Sequence, residues 1–313
     1  MRYILTLLGL TAVALGAISA AMWRLDPYGY FGRFPLGLYT DGTFRHVKAL
    51  LVNRSGADLA ILGASTAVPI NPADITGCRA FNAAFNGARP TELLYMVREV
   101  LPEGTKSVLM GLDFFAFNRA TDNGYDNPHF GRMTLTKTLS YTLSYGAIRE
   151  AKFVSKMARF KRQQVLDRTN GNKLDAASTA ADDAALPAID HAVELEWVRT
   201  QMFQNWSYGA ERKSVLVALR DTMAARGIRA AVYITPMSDS LLGMLDEIGA
   251  RADLERFRRD VAEVFPEVED LTGTMSDNRL FLKRDPLHFP PATANMVAER
   301  ALARAGLCGY RSP

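Results

Sequence analysis

The sequence predicts an α/β protein, a three-layer sandwich built on a mostly parallel sheet of five strands. Three observations point there. Short, continuously apolar runs recur along the chain, as at 107–112, and such runs suit strands buried on both faces. Segments with helical spacing separate them, 90–101 and 213–226 among them. The 313 residues are 48% hydrophobic and 22% charged, a globular composition that supplies a core for one large domain.

Met1-Arg2-Tyr3 leads into an apolar stretch over 4–23 that holds no charge. About twenty apolar residues span a bilayer as a helix, and a core helix would carry a polar stripe that this one lacks. Arg2 favours a cytoplasmic N-terminus with an exported body, and Trp23 suits a membrane boundary. The reading is an uncleaved inner-membrane anchor over 1–24 with a periplasmic domain. Ser19-Ala20-Ala21 keeps open the alternative of a cleaved signal peptide and a secreted or periplasmic body. A polar and aromatic lead-in follows over 25–57, with a helix near 44–53, and the α/β domain occupies 58–313.

Strands are predicted at 58–62, 79–82 and 107–112, with a helix over 90–101. The alternation then lapses, and 119–210 reads as a helical insertion. It contains loop chemistry at 122–129, a long helical stretch over 135–167 broken near Gly146, and a stop at Asn170-Gly171-Asn172. The Ala- and Asp-rich piece at 174–187 reads as an exposed, mobile connection. Helical spacing resumes over 191–204. A helix at 213–226 is capped by Gly227, a strand follows at 230–235, then helices at 240–248 and 252–265, a short strand at 268–271 and a closing helix at 293–305.

The net charge of +4 comes from scattered residues, 37 basic against 33 acidic. The densest basic run, 152–162, reads as a solvated helix face, and nucleic acid is not an expected partner. No P-loop, dinucleotide glycine pattern or zinc signature occurs, so no cofactor or metal is expected. The Asp/Asn cluster at 122–127 lacks the ligand spacing of a calcium loop. Cys78 and Cys308 form no spacing signature, and both a disulfide and two free thiols stand open.

Open parallel sheets bind ligands beyond the carboxyl ends of their strands. Gly63-Ala64-Ser65-Thr66 follows the first strand, Asn82 begins a segment ending in Asn86-Gly87 after the second, and Asp113 begins one ending in Asn118 after the third. Asp285-Pro286-Leu287-His288 falls between the last strand and the last helix. Each motif is short and common, and their order carries the specificity. In that order they resemble the SGNH/GDSL hydrolase superfamily, in the envelope-associated branch of DltD-like and alginate O-acetylation proteins. The resemblance covers about 58–118 and 213–305 and leaves the insertion unexplained. It implies a flavodoxin-like SGNH fold, with Ser65 as nucleophile, Asp285 and His288 as its partners, and Gly87 in an oxyanion hole. It also implies a polysaccharide or cell-envelope glycan as substrate and a membrane acyl-donor protein as a partner.

The residue types suit that chemistry. A serine hydroxyl attacks only when a base takes its proton, and a neutral imidazole does this near neutral pH. An Asp on the other ring nitrogen fixes the tautomer and stabilises the imidazolium. Backbone N–H groups of Ser65 and Gly87 would hold the oxyanion. The sequence departs from the family where the third block places an Asn, because Gly111-Leu112 is followed by Asp113. An ionised Asp there would repel an oxyanion. Either Asp113 is protonated or turned away, or the donor is another residue such as Asn86 or Asn118, or the site is impaired and the protein is a binding or assembly component. His46 and His191 read as structural or exposed, His129 as a loop residue, and Phe114, Phe115 and Phe117 as core.

Overall fold

The computed structural model describes residues 2–29, 31, 41–121, 135–159 and 166–311. Helix α1, Arg2–Leu25, has 24 residues and a length of about 36 Å. It is long and apolar enough to cross a membrane, and none of its most apolar window is buried against the protein. Only its last turns enter the body, where Met22 is buried with Tyr141, Ala147 and Ala151.

The strands are β1 (Leu59–Leu62), β2 (Ala80–Asn82), β3 (Ser107–Leu112), β4 (Arg229–Ile234) and β5 (Glu269–Asp270). They form one parallel sheet in the order β2-β1-β3-β4-β5. Ile61 stands opposite Asn82 on one side and Leu109 on the other. The sequence direction reverses at β1, so the crevice beyond β1 and β3 is the switch point where such sheets bind ligands.

Strand side chains alternate between two cores, as the period of two requires. Ala60, Leu62, Val108, Met110 and Val232 face one core, shared with α2 (Asp41–Ser55), α3 (Pro90–Tyr95), α8 (Arg212–Ala225) and α10 (Arg251–Val264). Leu59, Ile61, Leu109, Ala231 and Tyr233 face the other, covered by α11 (Pro291–Arg304). Each such Leu, Ile or Phe contributes about 1.5–3 kcal/mol through burial. Phe44, Val47 and Val52 of α2 belong to the first core. The segment expected only as a lead-in is therefore part of the folded body, because α2 turns an apolar face to the sheet.

The insertion leaves and returns at one point. Asn118 and Tyr208 form an antiparallel bridge, and the Gly209 N–H donates to Phe117 O at 2.8 Å. Within it lie α4 (Leu135–Thr142), α5 (Tyr145–Arg159), α6 (Ala176–Ala184) and α7 (Ala192–Trp197). The break expected near Gly146 falls at Ser144, whose Oγ accepts from the Ala147 N–H and caps α5. The short last strand lies within the expected 268–271, with two residues paired. One expectation is corrected here: the piece at 174–187 is not a loose connection, since its alanines, the best helix formers, build α6. Helices α3 and α7 each run on into one π turn, at Met96–Val100 and Val198–Met202.

The remaining helix of the sheet region is α9, Asp239–Glu247, capped by the Ser238 hydroxyl. Cys78 and Cys308 form a disulfide that joins the segment before β2 to the C-terminal end of the chain. The expected loop at 122–129, His129 included, and residues 160–165 of the expected long helix lie outside the described residues.

Candidate active site

A cleft of about 410 Å³ opens beyond the sheet, and Ser65, Asn86, Gly87, Asp285 and His288 all line it. Chain segments more than two hundred positions apart meet there because β1 and β2 end on one edge, while α11 starts beside them. Gly63, between β1 and Ser65, has φ +150°, and a Cβ on it would come within 2.8 Å of Ala67 Cβ. The turn that presents Ser65 thus requires glycine. Ser65 opens a single 3₁₀ turn over Ser65–Ala67 and is partly exposed.

Asp285 and His288 form a fixed pair. Asp285 Oδ2 and His288 Nδ1 lie 2.7 Å apart, and Asp285 Oδ1 accepts from the N–H groups of Leu287 (2.9 Å) and His288 (3.1 Å). Leu282 N–H donates to His288 O, closing the loop. Burial opposes charge on both groups, but their mutual attraction outweighs it. For His288, burial is overcome by the hydrogen bond and charge of Asp285, and the imidazole is held above its usual value. For Asp285, burial is overcome by His288 and the two backbone N–H groups, and the carboxyl is held below its usual value. With Nδ1 engaged by Asp285, Nε2 is the nitrogen left for proton transfer. Among the described residues no hydrogen bond joins the Ser65 hydroxyl to His288.

The loop that carries Gly87 is held from below by a buried network that sequence reasoning missed. Asn82 is fully buried, and its amide donates to the carbonyls of Ala67, Val68 and Ile70, tying the β2 end to the segment after Ser65. Its Oδ1 accepts from the Ala84 N–H (3.0 Å) and from Lys48 Nζ (3.2 Å). Lys48 Nζ also donates to Ala84 O at 2.7 Å. Burial, with the charge of Lys173, pushes the Lys48 ammonium down to about 7. One turn earlier on α2, Arg45 donates to Asn86 O (3.5 Å) and pairs with Glu92 (3.0 Å). Two cations at i and i+3 on one helix thus hold both halves of the loop, a spacing that reads in sequence only as an ordinary helix face.

Asp113 and Asn118 do not line the cleft. Asp113 is buried, its Oδ1 accepts from the Thr66 hydroxyl (2.9 Å), and its Oδ2 has no hydrogen-bond partner among the described residues. Burial raises its carboxyl further than the Thr66 hydroxyl and the His288 charge draw it down. Asn118 is a correction to the expected oxyanion set. Its amide donates to Met202 O, and its Oδ1 accepts from the Ala120 and Ser207 N–H groups, so it secures the base of the insertion. Asn86 lines the cleft with a side-chain amide that has no hydrogen-bond partner among the described residues.

The insertion, unexplained by sequence, forms a wall of the cleft through Lys173, Thr179 and Ala180, then Glu194, Trp197 and Met202. It is pinned beside the loop by Asn170 O, which accepts from the Asn82 N–H at 2.7 Å. The adjoining Gly171 has φ +74°, and a Cβ there would sit 2.2 Å from Asn82 O. Glu194 is raised by burial and by the charge of Asp285. His191 is buried between Ser240 Oγ (3.1 Å) and Leu282 O (2.9 Å), and His46 packs on Tyr28. Among the described residues no group of His, Cys, Asp and Glu is placed to hold a metal ion. No family model and no curated protein matches the chain.

Proposed function

We propose that the protein is a serine esterase or O-acyltransferase of SGNH/GDSL type, with a flavodoxin-like three-layer sandwich, anchored in the inner membrane and facing the periplasm. Its substrate on this reading is an ester on an envelope or exported polysaccharide, with a membrane acyl-donor protein as a partner if the reaction is transfer. The observation that carries the reading is the Asp285–His288 pair opening onto the same cleft as Ser65. The disulfide supports an oxidising compartment, and α1 supports an anchor or an export signal. A half-exposed Trp197 on the cleft wall suits a sugar ring.

His288 Nε2 takes the Ser65 proton as Oγ attacks the acyl carbon, and Asp285 stabilises the imidazolium. The oxyanion receives the N–H groups of Ser65 and Gly87, with the Asn86 amide as a side-chain donor. His288 then protonates the leaving oxygen, leaving an acyl-Ser65. Water or a sugar hydroxyl, deprotonated by His288, attacks that ester and frees the serine. Asp113, off the cleft wall and held toward its neutral form, does not oppose the oxyanion.

The test is labelling by a fluorophosphonate and turnover of a small acetyl ester, in the wild-type chain and in Ser65→Ala. Labelling and turnover that vanish in Ser65→Ala support the enzyme. A folded wild-type chain that shows neither favours the second reading, a binding or assembly component, which the missing Ser65–His288 hydrogen bond and Asp113 in place of Asn would then explain.

A further inference from the structure

Helix α5 presents a face that the catalytic reading does not use. Its buried side carries Ala147, Glu150, Ala151 and Val154. Its exposed side carries Arg149, Lys152, Lys156 and Arg159 together with Tyr145, Ile148 and Phe153. Tyr145 is 80% exposed and Phe153 51%, well beyond what a solvated helix needs to show. The only acid in the helix, Glu150, lies on the buried side and pairs with Arg149. Cations interleaved with aromatic and aliphatic side chains, and no exposed carboxylate, is the composition of a helix that lies in a membrane interface.

Position decides which surface is available. α5 packs directly against the last turns of α1 through Ala147 and Ala151 on Met22, with Leu25 and Tyr28 alongside. If α1 spans the bilayer, these residues sit at the depth where it leaves the hydrocarbon, beside the exposed Trp23. A helix of 15 residues is about 22 Å long, enough to reach across several lipid headgroups.

We propose that α5 docks on the anionic phospholipid surface of the leaflet from which α1 emerges, with Tyr145, Ile148 and Phe153 in the interface and the four cations on lipid phosphates. The proposal rests on the anchored reading of α1. Such docking holds the body against the bilayer at two places rather than by one swivelling helix.

The test uses the full chain in vesicles of phosphatidylcholine with or without phosphatidylglycerol. Cys78 and Cys308 are paired, so Phe153→Cys and, separately, Ala14→Cys each provide a single thiol for an environment-sensitive NBD dye. The expected result at 153 is blue-shifted emission and quenching by nitroxide lipids in vesicles containing phosphatidylglycerol. Both effects should be lost in pure phosphatidylcholine and when Lys152→Glu and Lys156→Glu are added. A dye at 14 quenched by lipid while the dye at 153 stays in water overturns the docking and leaves the anchor standing. Equal protection at 153 in both vesicles overturns an anionic partner. A dye at 14 that never meets lipid removes the anchor, and the docking proposal falls with it.

Discussion

Lys48→Met gives the sharpest test of the network beneath the loop. In the folded chain the ammonium is buried and pushed down to about 7, whereas an unfolded lysine keeps its proton to about 10.5. Between those values the unfolded state binds more protons, so stability rises with pH, by up to about 1.4 kcal/mol per unit. From pH 7 to 9 the integrated gain is about 2 kcal/mol, and below pH 7 both states are protonated and the slope vanishes. Methionine removes this dependence. It also leaves Ala84 O without its 2.7 Å donor, at a cost of about 1–3 kcal/mol, while Asn82 Oδ1 keeps the Ala84 N–H. Wild type should therefore exceed Lys48→Met at pH 9 by about 1–3 kcal/mol, and the two should nearly coincide at pH 7 or below. Urea unfolding of the full chain in non-ionic micelles, followed by tryptophan fluorescence at pH 6 to 9, measures the gap. A gap that does not change with pH would mean that Lys48 is not titrating in a dry site and that the account of the loop is wrong.

Other outcomes follow from the same geometry. Labelling of Ser65 should rise with pH through a midpoint above the ordinary histidine value, because His288 must first lose a proton that Asp285 helps it hold; Asp285→Asn should lower that midpoint and slow labelling by on the order of 10⁴-fold. Asp113→Asn should stabilise the protein increasingly as pH rises through the carboxyl range, since burial disfavours the ionised acid and the amide keeps an acceptor for Thr66; melting temperature against pH reads this. Cys78→Ala with Cys308→Ala opens a link across 230 positions and should cost about 5 kcal/mol by chain entropy, seen as a lower unfolding midpoint. Trp197→Ala should raise KM for an acetylated oligosaccharide with little effect on a small acetyl ester, as measured by steady-state kinetics.

The sheet was legible because buried parallel strands leave continuous apolar runs, and all five strands fall within a residue of where those runs lie. The Asp285–His288 pair was legible for a local reason: a carboxylate three positions before a histidine reaches its ring across one turn. The apolar length of α1 is likewise a local property. Insertion residues 174–187 were misread because an exposed alanine-rich stretch has the same composition whether it is a linker or a helix packed over a cleft.

From its residues alone, then, this chain specified an apolar leading helix, an α/β order and a serine, an aspartate and a histidine at the ends of elements, all set by neighbours a few positions away. Tertiary structure alone decided that Lys48 and Arg45 grip the loop of Gly87, that Asp113 is buried off the cleft wall and that Glu194 and Trp197 line one cleft with Ser65. It also decided that the two cysteines meet. Those relations join segments tens to hundreds of residues apart, and burial, which sets their charges, exists only once the chain has closed around them.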